Sequence, residues 1–251
     1  GLRFGDRPDP APGPNEALVK IHARSLNYRD RLILAGLYPV AGRVGTVALS
    51  DGAGEVVAIG DHVSRVAIGD RVAASYFPRW IDGRFAMPLG IDQFGCTRDG
   101  MLAPLLVASE EALVRIPAHL SYEEAATLPC AALTAWSALL GPRPILPGET
   151  VLTIGTGGVA LFALQFARLF GARVIAITSS DAKAERLKEL GANDVVNYRS
   201  TPEWGRAIRE RTGGRGVEHA VETGGLDTLP KSIACTAEEG SVAIVAALGQ
   251  G

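Results

Sequence analysis

The residues Gly155-Thr156-Gly157-Gly158-Val159-Ala160 have types and spacing suited to holding a phosphate. Gly155, Gly157 and Ala160 stand at the G-x-G-x-x-G/A positions, after an apolar run that reads as a strand (Thr150–Ile154) and at the head of a stretch that reads as a helix (Val159–Phe170). The first glycine makes the tight turn, the second lets backbone N–H groups approach a pyrophosphate, and the small third residue lets helix and strand pack closely. The positive end of the helix then faces the phosphates. Between a strand and a helix of a β-α-β unit this loop predicts dinucleotide binding, with Gly155, Thr156, Gly157, Gly158 and Val159 as contacts.

The tip of the next strand, about 20 residues further on, selects the dinucleotide, because an NAD-specific site places Asp or Glu there for the ribose 2′-OH. In the run Arg173–Thr178 that place belongs to Thr178, followed by Ser179 and Ser180, with Lys183 one turn into the next helix. Without the carboxylate a 2′-phosphate meets no repulsion, and hydroxyls and an ammonium can bind it. The pattern predicts NADP (NADPH) over NAD. The same serines could instead cap the helix and Lys183 could cover a solvated face, and Asp181 is a carboxylate close by.

The elements that must position these residues change style along the chain. Up to about residue 120 the sequence has short β-branched runs punctuated by Gly and Pro: a strand at Ala17–Ala23, a short helix at Asn27–Ala35, glycine–valine mixing over Gly52–Val63, and a turn at Gly69-Asp70-Arg71-Val72 feeding another strand. This predicts a β-rich, partly barrelled module over 1–120. Ser121-Tyr122-Glu123-Glu124 has the form of a capping box, a second helix is expected at about Ala131–Leu140, and prolines at 142, 144 and 147 break the chain. Beyond them strands (Thr150–Ile154, Arg173–Thr178, Val195–Asn197, Val217–Glu222, Ser241–Ala246) alternate with helices (Val159–Phe170, Ala182–Leu190, Pro202–Thr212, Leu229–Cys235). Alternation of this kind predicts a parallel, doubly wound sheet over 121–251. The segment Ser75–Gln93 has no readable periodicity.

Composition removes several functions. Lys and Arg total 25 against 27 Asp and Glu, so nothing suggests the basic surplus of a nucleic-acid partner. The three cysteines, Cys96, Cys130 and Cys235, are too few and too far apart for a disulfide framework or a four-cysteine zinc lobe, and a reduced, cytoplasmic setting is expected. The most apolar stretch, Val151–Ile177, is interrupted by Gln165, Arg168 and Arg173, so no membrane span is expected. His22, His62, His119 and His219 show no metal-ligand or hydrolase spacing and read as structural or exposed.

Taken with Asn27-Tyr28-Arg29-Asp30, Gly36-Leu37-Tyr38-Pro39, Asp51-Gly52-Ala53-Gly54-Glu55-Val56, Gly69-Asp70-Arg71-Val72, Ala125-Ala126-Thr127-Leu128-Pro129, Leu133-Thr134-Ala135 and Gly213-Gly214-Arg215-Gly216-Val217, the chain resembles the medium-chain dehydrogenase/reductase superfamily, in its zinc-free branch near quinone oxidoreductases. The resemblance implies an α/β chain made of a GroES-like β-rich catalytic domain and a Rossmann domain, with hydride transfer in the cleft between them. It also implies a small-molecule substrate: a quinone, enone, enal or aldehyde. Alcohol oxidation, or a non-catalytic nucleotide-binding role on the same fold, are the alternatives. The family pattern continues beyond Val242–Ala246 with a sixth Rossmann strand, which often carries a dimer edge, and then completes the catalytic domain. The expectation is therefore a chain that represents part of a protein whose full-length form is a homodimer.

The resemblance also distributes roles. Where zinc members of the family bind metal through Cys, His and Cys or Asp, this chain has Asn27, Ser50 and Cys130, so no metal is expected and Cys130 reads as a small buried filler. In similar enoyl-thioester reductases a tyrosine in the Gly-x-Tyr-Pro segment protonates the product, which makes Tyr38 the candidate proton donor; a phenol suits an enolate. The alternative is a tyrosine that only packs. Asn27 and Asp30 are expected to orient cofactor and substrate, Thr134 to line the nicotinamide pocket, and Tyr198 to lie near the 2′-phosphate. Glu222, Thr223, Val245, Ala246 and Ala247 end strands at the carboxyl edge, where the ligand crevice of such a sheet lies.

Overall fold

The computed structural model describes residues 2–245, so the expected contacts at Ala246 and Ala247 lie outside the described residues. The chain divides into two compact units, one ending at Cys130 and the other beginning at Ala131. No helix among the described residues is long and apolar enough to cross a membrane.

The first unit is built on β1 (Glu16–Ser25), α1 (Tyr28–Ala35), β2 (Asp51–Ile59), β3 (Arg71–Ala74), α2 (Met87–Ile91), β4 (Leu105–Ser109) and β5 (Leu113–Arg115). The strands form one antiparallel sheet in the order β4-β1-β2-β3-β5. Every second residue of β1 points inward: Ala17, Val19, Ile21 and Ala23 are buried. The first three join Val56, Val72, Phe94, Met101, Leu106 and Leu113 in the core. Gly54 has to be glycine, because a Cβ there would stand 2.1 Å from the Lys20 carbonyl oxygen on the paired strand. Helix α2 lies in the segment without readable periodicity, and β4 is an element the sequence reading did not include. The segment around α2 is held by its aromatics, with Trp80 meeting Phe77 and Phe85 edge-on and the two phenylalanine rings tilted against each other.

Helix α3 (Tyr122–Ala126) opens on the expected capping box: Ser121 Oγ accepts from the Glu124 amide at 3.1 Å, and Glu124 Oε2 accepts from the Ser121 amide at 2.8 Å. It packs Ala125 and Ala126 against Ala23 and Ala53 of the antiparallel sheet. The first unit therefore extends past Ser121, where the sequence changes rhythm. A wide π-helical turn (Leu128–Ala132) follows and takes in the first residues of the helix expected from Ala131.

The second unit starts with α4 (Leu133–Leu140) and alternates β6 (Thr150–Ile154), α5 (Gly158–Leu169), β7 (Arg173–Thr178), α6 (Asp181–Glu189), β8 (Asp194–Asn197), α7 (Trp204–Arg211), β9 (Val217–Glu222), α8 (Leu229–Cys235) and β10 (Thr236–Ile244). The sheet is parallel, in the order β10-β9-β6-β7-β8. Successive strand residues feed opposite faces, so the unit has two cores. Val151, Val174 and Ala176 meet Ala163, Leu164 and Ala167 of α5 on one face. Leu152, Ile175 and Ile177 meet Trp204 and Ile208 of α7 on the other. β10 begins earlier than the expected Ser241 because the chain turns straight out of α8, with Thr236 opposite Val217 before a register shift to Ser241 opposite His219.

Candidate functional site

In the second unit the glycine loop sits at the end of β6, the strand next to which the sheet order reverses (β9-β6-β7). Gly155 has φ +79°, a left-handed conformation that suits glycine. Gly157 is the N-cap of α5, no side chain caps it, and a Cβ added there would meet no heavy atom within 4 Å. The first backbone N–H groups of α5 therefore face open space beneath an open glycine, as an anion site requires. Ala160 is buried, which gives the third small position its packing role.

Residues at the tips of β7 and β8 lie together. Thr178 is buried and pairs with Asn197, and its carbonyl accepts from the Tyr198 amide at 2.9 Å. Ser179 is half-buried, while Lys183 and Tyr198 are exposed. Ser180 caps α6, its Oγ accepting from the Lys183 amide at 3.5 Å. That uses a lone pair and leaves the hydroxyl proton free to donate. The Asp181 carboxylate accepts from Asn197 Nδ2 at 2.8 Å. Thr134, in the first turn of α4, is half-buried. Thr223 bonds back to the Ile154 carbonyl at 2.5 Å, and the Val245 amide donates to the Glu222 carbonyl at 2.9 Å.

Glu222 ends β9. It has no exposed surface, and its carboxylate accepts from the Gly224 amide (2.6 Å), the Gly225 amide (3.0 Å), the Thr228 hydroxyl (2.6 Å) and the Ser232 hydroxyl. Three of these bonds fall on Oε1 and one on Oε2, and together they shape the loop after β9.

In the first unit the expected residues Asn27, Asp30 and Tyr38 come together around Arg29. The Arg29 guanidinium lies over the Tyr38 ring at 5.1 Å and over the Tyr76 ring at 4.8 Å, and Nη2 donates to Gln93 Oε1 at 2.5 Å. Asp30 is buried; its oxygens accept from the Asn27 amide at 2.8 Å and the Ser50 amide at 3.3 Å. Burial pushes its carboxyl above the usual range. With one backbone N–H on each oxygen, Asp30 fixes the start of α1 against the start of β2.

Asp51, at the head of β2, is wholly buried and accepts from the Ser50 hydroxyl at 2.8 Å and the Cys130 amide at 2.9 Å. Burial raises its carboxyl from 3.8 to about 6, so it titrates near neutrality. The Cys130 thiol, half-buried, is pushed up to about 12 by burial and then by the Asp51 charge. Tyr76 is pushed upward too, by burial. Sequence reasoning passed over Arg29, Asp51, Tyr76 and Gln93. Arg29 and Asp51 stood inside recognised motifs, and burial was the missing signal.

Residues 13–118 match the alcohol dehydrogenase GroES-like domain and residues 158–251 match the zinc-binding dehydrogenase domain. A zinc-type alcohol dehydrogenase-like protein of Schizosaccharomyces pombe is 45% identical over 92% of this chain and 68% of its own length. The chain is a medium-chain dehydrogenase/reductase. A quinone oxidoreductase of Pseudomonas aeruginosa is 33% identical over 95% of this medium-chain dehydrogenase/reductase and 67% of its own length. Among solved structures, a putative alcohol dehydrogenase from Sinorhizobium meliloti superposes with a TM-score of 0.93 at 36% identity, over 100% of this chain and 74% of that one. A mycobacterial protein, Rv1454c, complexed with NADPH, gives a TM-score of 0.76 at 30% identity, over 96% and 68%.

Zinc figures in the names of some relatives, and the donors of this medium-chain dehydrogenase/reductase do not suit it. The positions in question carry the Asn27 amide, a Ser50 hydroxyl that donates to Asp51, and a Cys130 thiol that holds its proton. Zinc takes thiolate, imidazole and carboxylate ligands, and among the described residues no three His, Cys, Asp or Glu side chains are gathered as a metal-ligand set.

Proposed function

We propose that this protein is an NADPH-dependent, zinc-independent oxidoreductase that transfers hydride to an activated double bond or carbonyl of a small molecule. The observation that carries the reading is the open α5 N-terminus beneath Gly157, together with a β7 tip at which Thr178 replaces the ribose-binding carboxylate. A relative named as a quinone oxidoreductase and a structural relative holding NADPH support it.

The amides of Gly158 and Val159 hold the pyrophosphate, and Thr156 lies beside them. Ser179, the free O–H of Ser180, Lys183 and Tyr198 receive the 2′-phosphate. The nearby Asp181 carboxylate is already engaged by Asn197. Thr134, Thr223 and Val245 line the nicotinamide end. When bound, the reduced nicotinamide supplies a hydride. Tyr38 then gives its phenolic proton to the carbanion-like product, at the carbon next to the one that took the hydride, or to the oxygen of a reduced carbonyl, and Asn27 orients the substrate.

The test is NADPH oxidation by the full-length protein with quinones, enals, enones and aldehydes. Turnover is expected, with NADPH bound more tightly than NADH. Equal or tighter NADH binding overturns the cofactor preference. NADPH binding without turnover of any acceptor favours a binding role. Thr178→Asp is expected to shift preference toward NADH. Tyr38→Phe is expected to lower turnover, by about 100-fold for loss of a general acid, with little change in NADPH affinity.

A further inference from the structure

Ser179, Ser180 and Lys183 flank Asp181 in the chain, and Tyr198 follows the end of the neighbouring strand β8. Asp181 is exposed and sits in the first turn of α6. A free carboxylate at such a tip acts on a dinucleotide in two ways. It repels a 2′-phosphate, and it accepts from the 2′-OH of an unphosphorylated ribose. Having Thr178 at the end of β7 removes one carboxylate but leaves this one in place, so a tip that takes NADPH needs a restraint on Asp181.

Asn197, the last residue of β8, pairs with Thr178 across the sheet, and its side chain is fixed at both ends. Oδ1 accepts from the Arg199 amide at 3.1 Å, and Nδ2 donates to Asp181 Oδ1 at 2.8 Å. The two bonds assign the amide. A flipped side chain would set its oxygen against the carboxylate and its NH2 group against a backbone N–H. The main chain behind it is held as well, because the Asn197 carbonyl accepts from the Thr201 amide at 2.9 Å and from the Ser200 hydroxyl at 3.2 Å. The donor to Asp181 is therefore neutral and anchored. It turns the carboxylate toward β8 without cancelling its charge, so a released Asp181 would act on the tip as a full anion.

We propose that Asn197 is a specificity-determining residue that acts through Asp181. By tying the carboxylate to the end of β8 it keeps the tip open to the 2′-phosphate of NADPH, and without it the same Asp181 becomes an acceptor for the ribose of NADH. The inference rests on the NADPH reading and adds the residue that sets the preference. Asn197 is a positioning residue here. If it served only the turn after β8, its loss would weaken both dinucleotides alike. Restraint of a carboxylate moves the two affinities in opposite directions.

The test is calorimetric titration of NADPH and of NADH into the full-length protein. Asn197→Ala is expected to weaken NADPH by about tenfold, the scale of one hydrogen bond to a charged group, and to tighten NADH. Asn197→Ser still offers an acceptor to the Arg199 amide but is too short to reach Asp181; it is expected to act as alanine does, and it serves if the alanine variant does not fold. Adding Asp181→Asn to either variant removes the released charge and is expected to bring NADPH affinity back to within about threefold of the wild type. Equal weakening of both dinucleotides, an unchanged NADPH-to-NADH ratio, or no recovery in the double variant overturns the proposal. If the wild type binds NADH at least as tightly as NADPH, the cofactor reading fails, and a ratio moved further toward NADH by Asn197→Ala still supports the restraint. If the wild type prefers NADPH and the variants keep its ratio, the restraint alone fails. If the wild type binds neither dinucleotide, both fail.

Discussion

Asp51 in the first unit and Glu222 in the second are both wholly buried carboxylates at strand ends, yet their surroundings differ. Glu222 accepts from four donors contributed by its own loop and by α8. Asp51 accepts from two, its carboxyl is pushed to about 6, and the nearby side chains Arg29 and Asn27 keep unmet donors. A fully satisfied buried polar cluster fixes one conformation, whereas a partly satisfied one carries a cost that a ligand can remove. The difference separates a closed cluster from one with unmet donors inside one chain, where burial alone makes the two carboxylates look equivalent.

Removing a carboxylate should expose that difference. Glu222→Ala orphans four donors at once and is expected to cost about 3–5 kcal/mol of stability, measured by urea unfolding; a loss below about 1 kcal/mol would make the cluster ornamental. Asp51→Asn should behave in the opposite sense. The folded-state value of Asp51 lies above its ordinary 3.8, so the folded protein holds this proton more tightly than the unfolded chain. Its contribution is complete below about pH 4 and is lost as the pH rises through 6. Asparagine is neutral throughout, so the wild type should lose about 3 kcal/mol relative to Asp51→Asn between pH 4 and 7. Parallel stability–pH curves for the two proteins would refute the raised value.

The smallest effects belong to the glycine loop. Gly155→Ala must hold a left-handed φ of +79° and should lose about 1–2 kcal/mol. Gly157 has φ −77° and open space at its Cβ position, so Gly157→Ala should leave stability unchanged and weaken NADPH binding. Equal stability losses at the two positions would contradict these backbone assignments.

The sequence made the second unit legible almost strand by strand, because its strands are continuous apolar runs and its helices carry buried residues at helical spacing, as Ala160, Ala163, Leu164 and Ala167 do in α5. The first unit was harder. Leu105–Ser109 alternates too briefly to announce β4, and the Phe77–Trp80–Phe85 cluster has no period to detect. The site shows the same limit. Tyr38, Asn27 and Asp30 could be named from motifs, but whether a polar atom is satisfied depends on partners distant in sequence. Asp30 turned out to be committed to Ser50 and Glu222 to Ser232, while Arg29, inside the same motif as Asp30, was left with unmet donors.

His219 in β9 joins strands through its side chain as well as its backbone. Arg143 Nη1 lies 2.6 Å from Nε2 and Ser241 Oγ lies 2.9 Å from Nδ1. Nε2 also lies 3.0 Å from Glu149 Oε2, so it stands between a group that can only donate and one that can only accept, and the two ask for opposite tautomers of the neutral ring. Burial holds the ring below its ordinary titration value. The join between β9 and β10 is thus tied to an ion pair: Arg143 and Glu149, both ahead of β6, meet the same ring that reaches Ser241 of β10. Substituting either member of the pair would leave the other to set the tautomer, and with it which way the hydrogen points between His219 and Ser241.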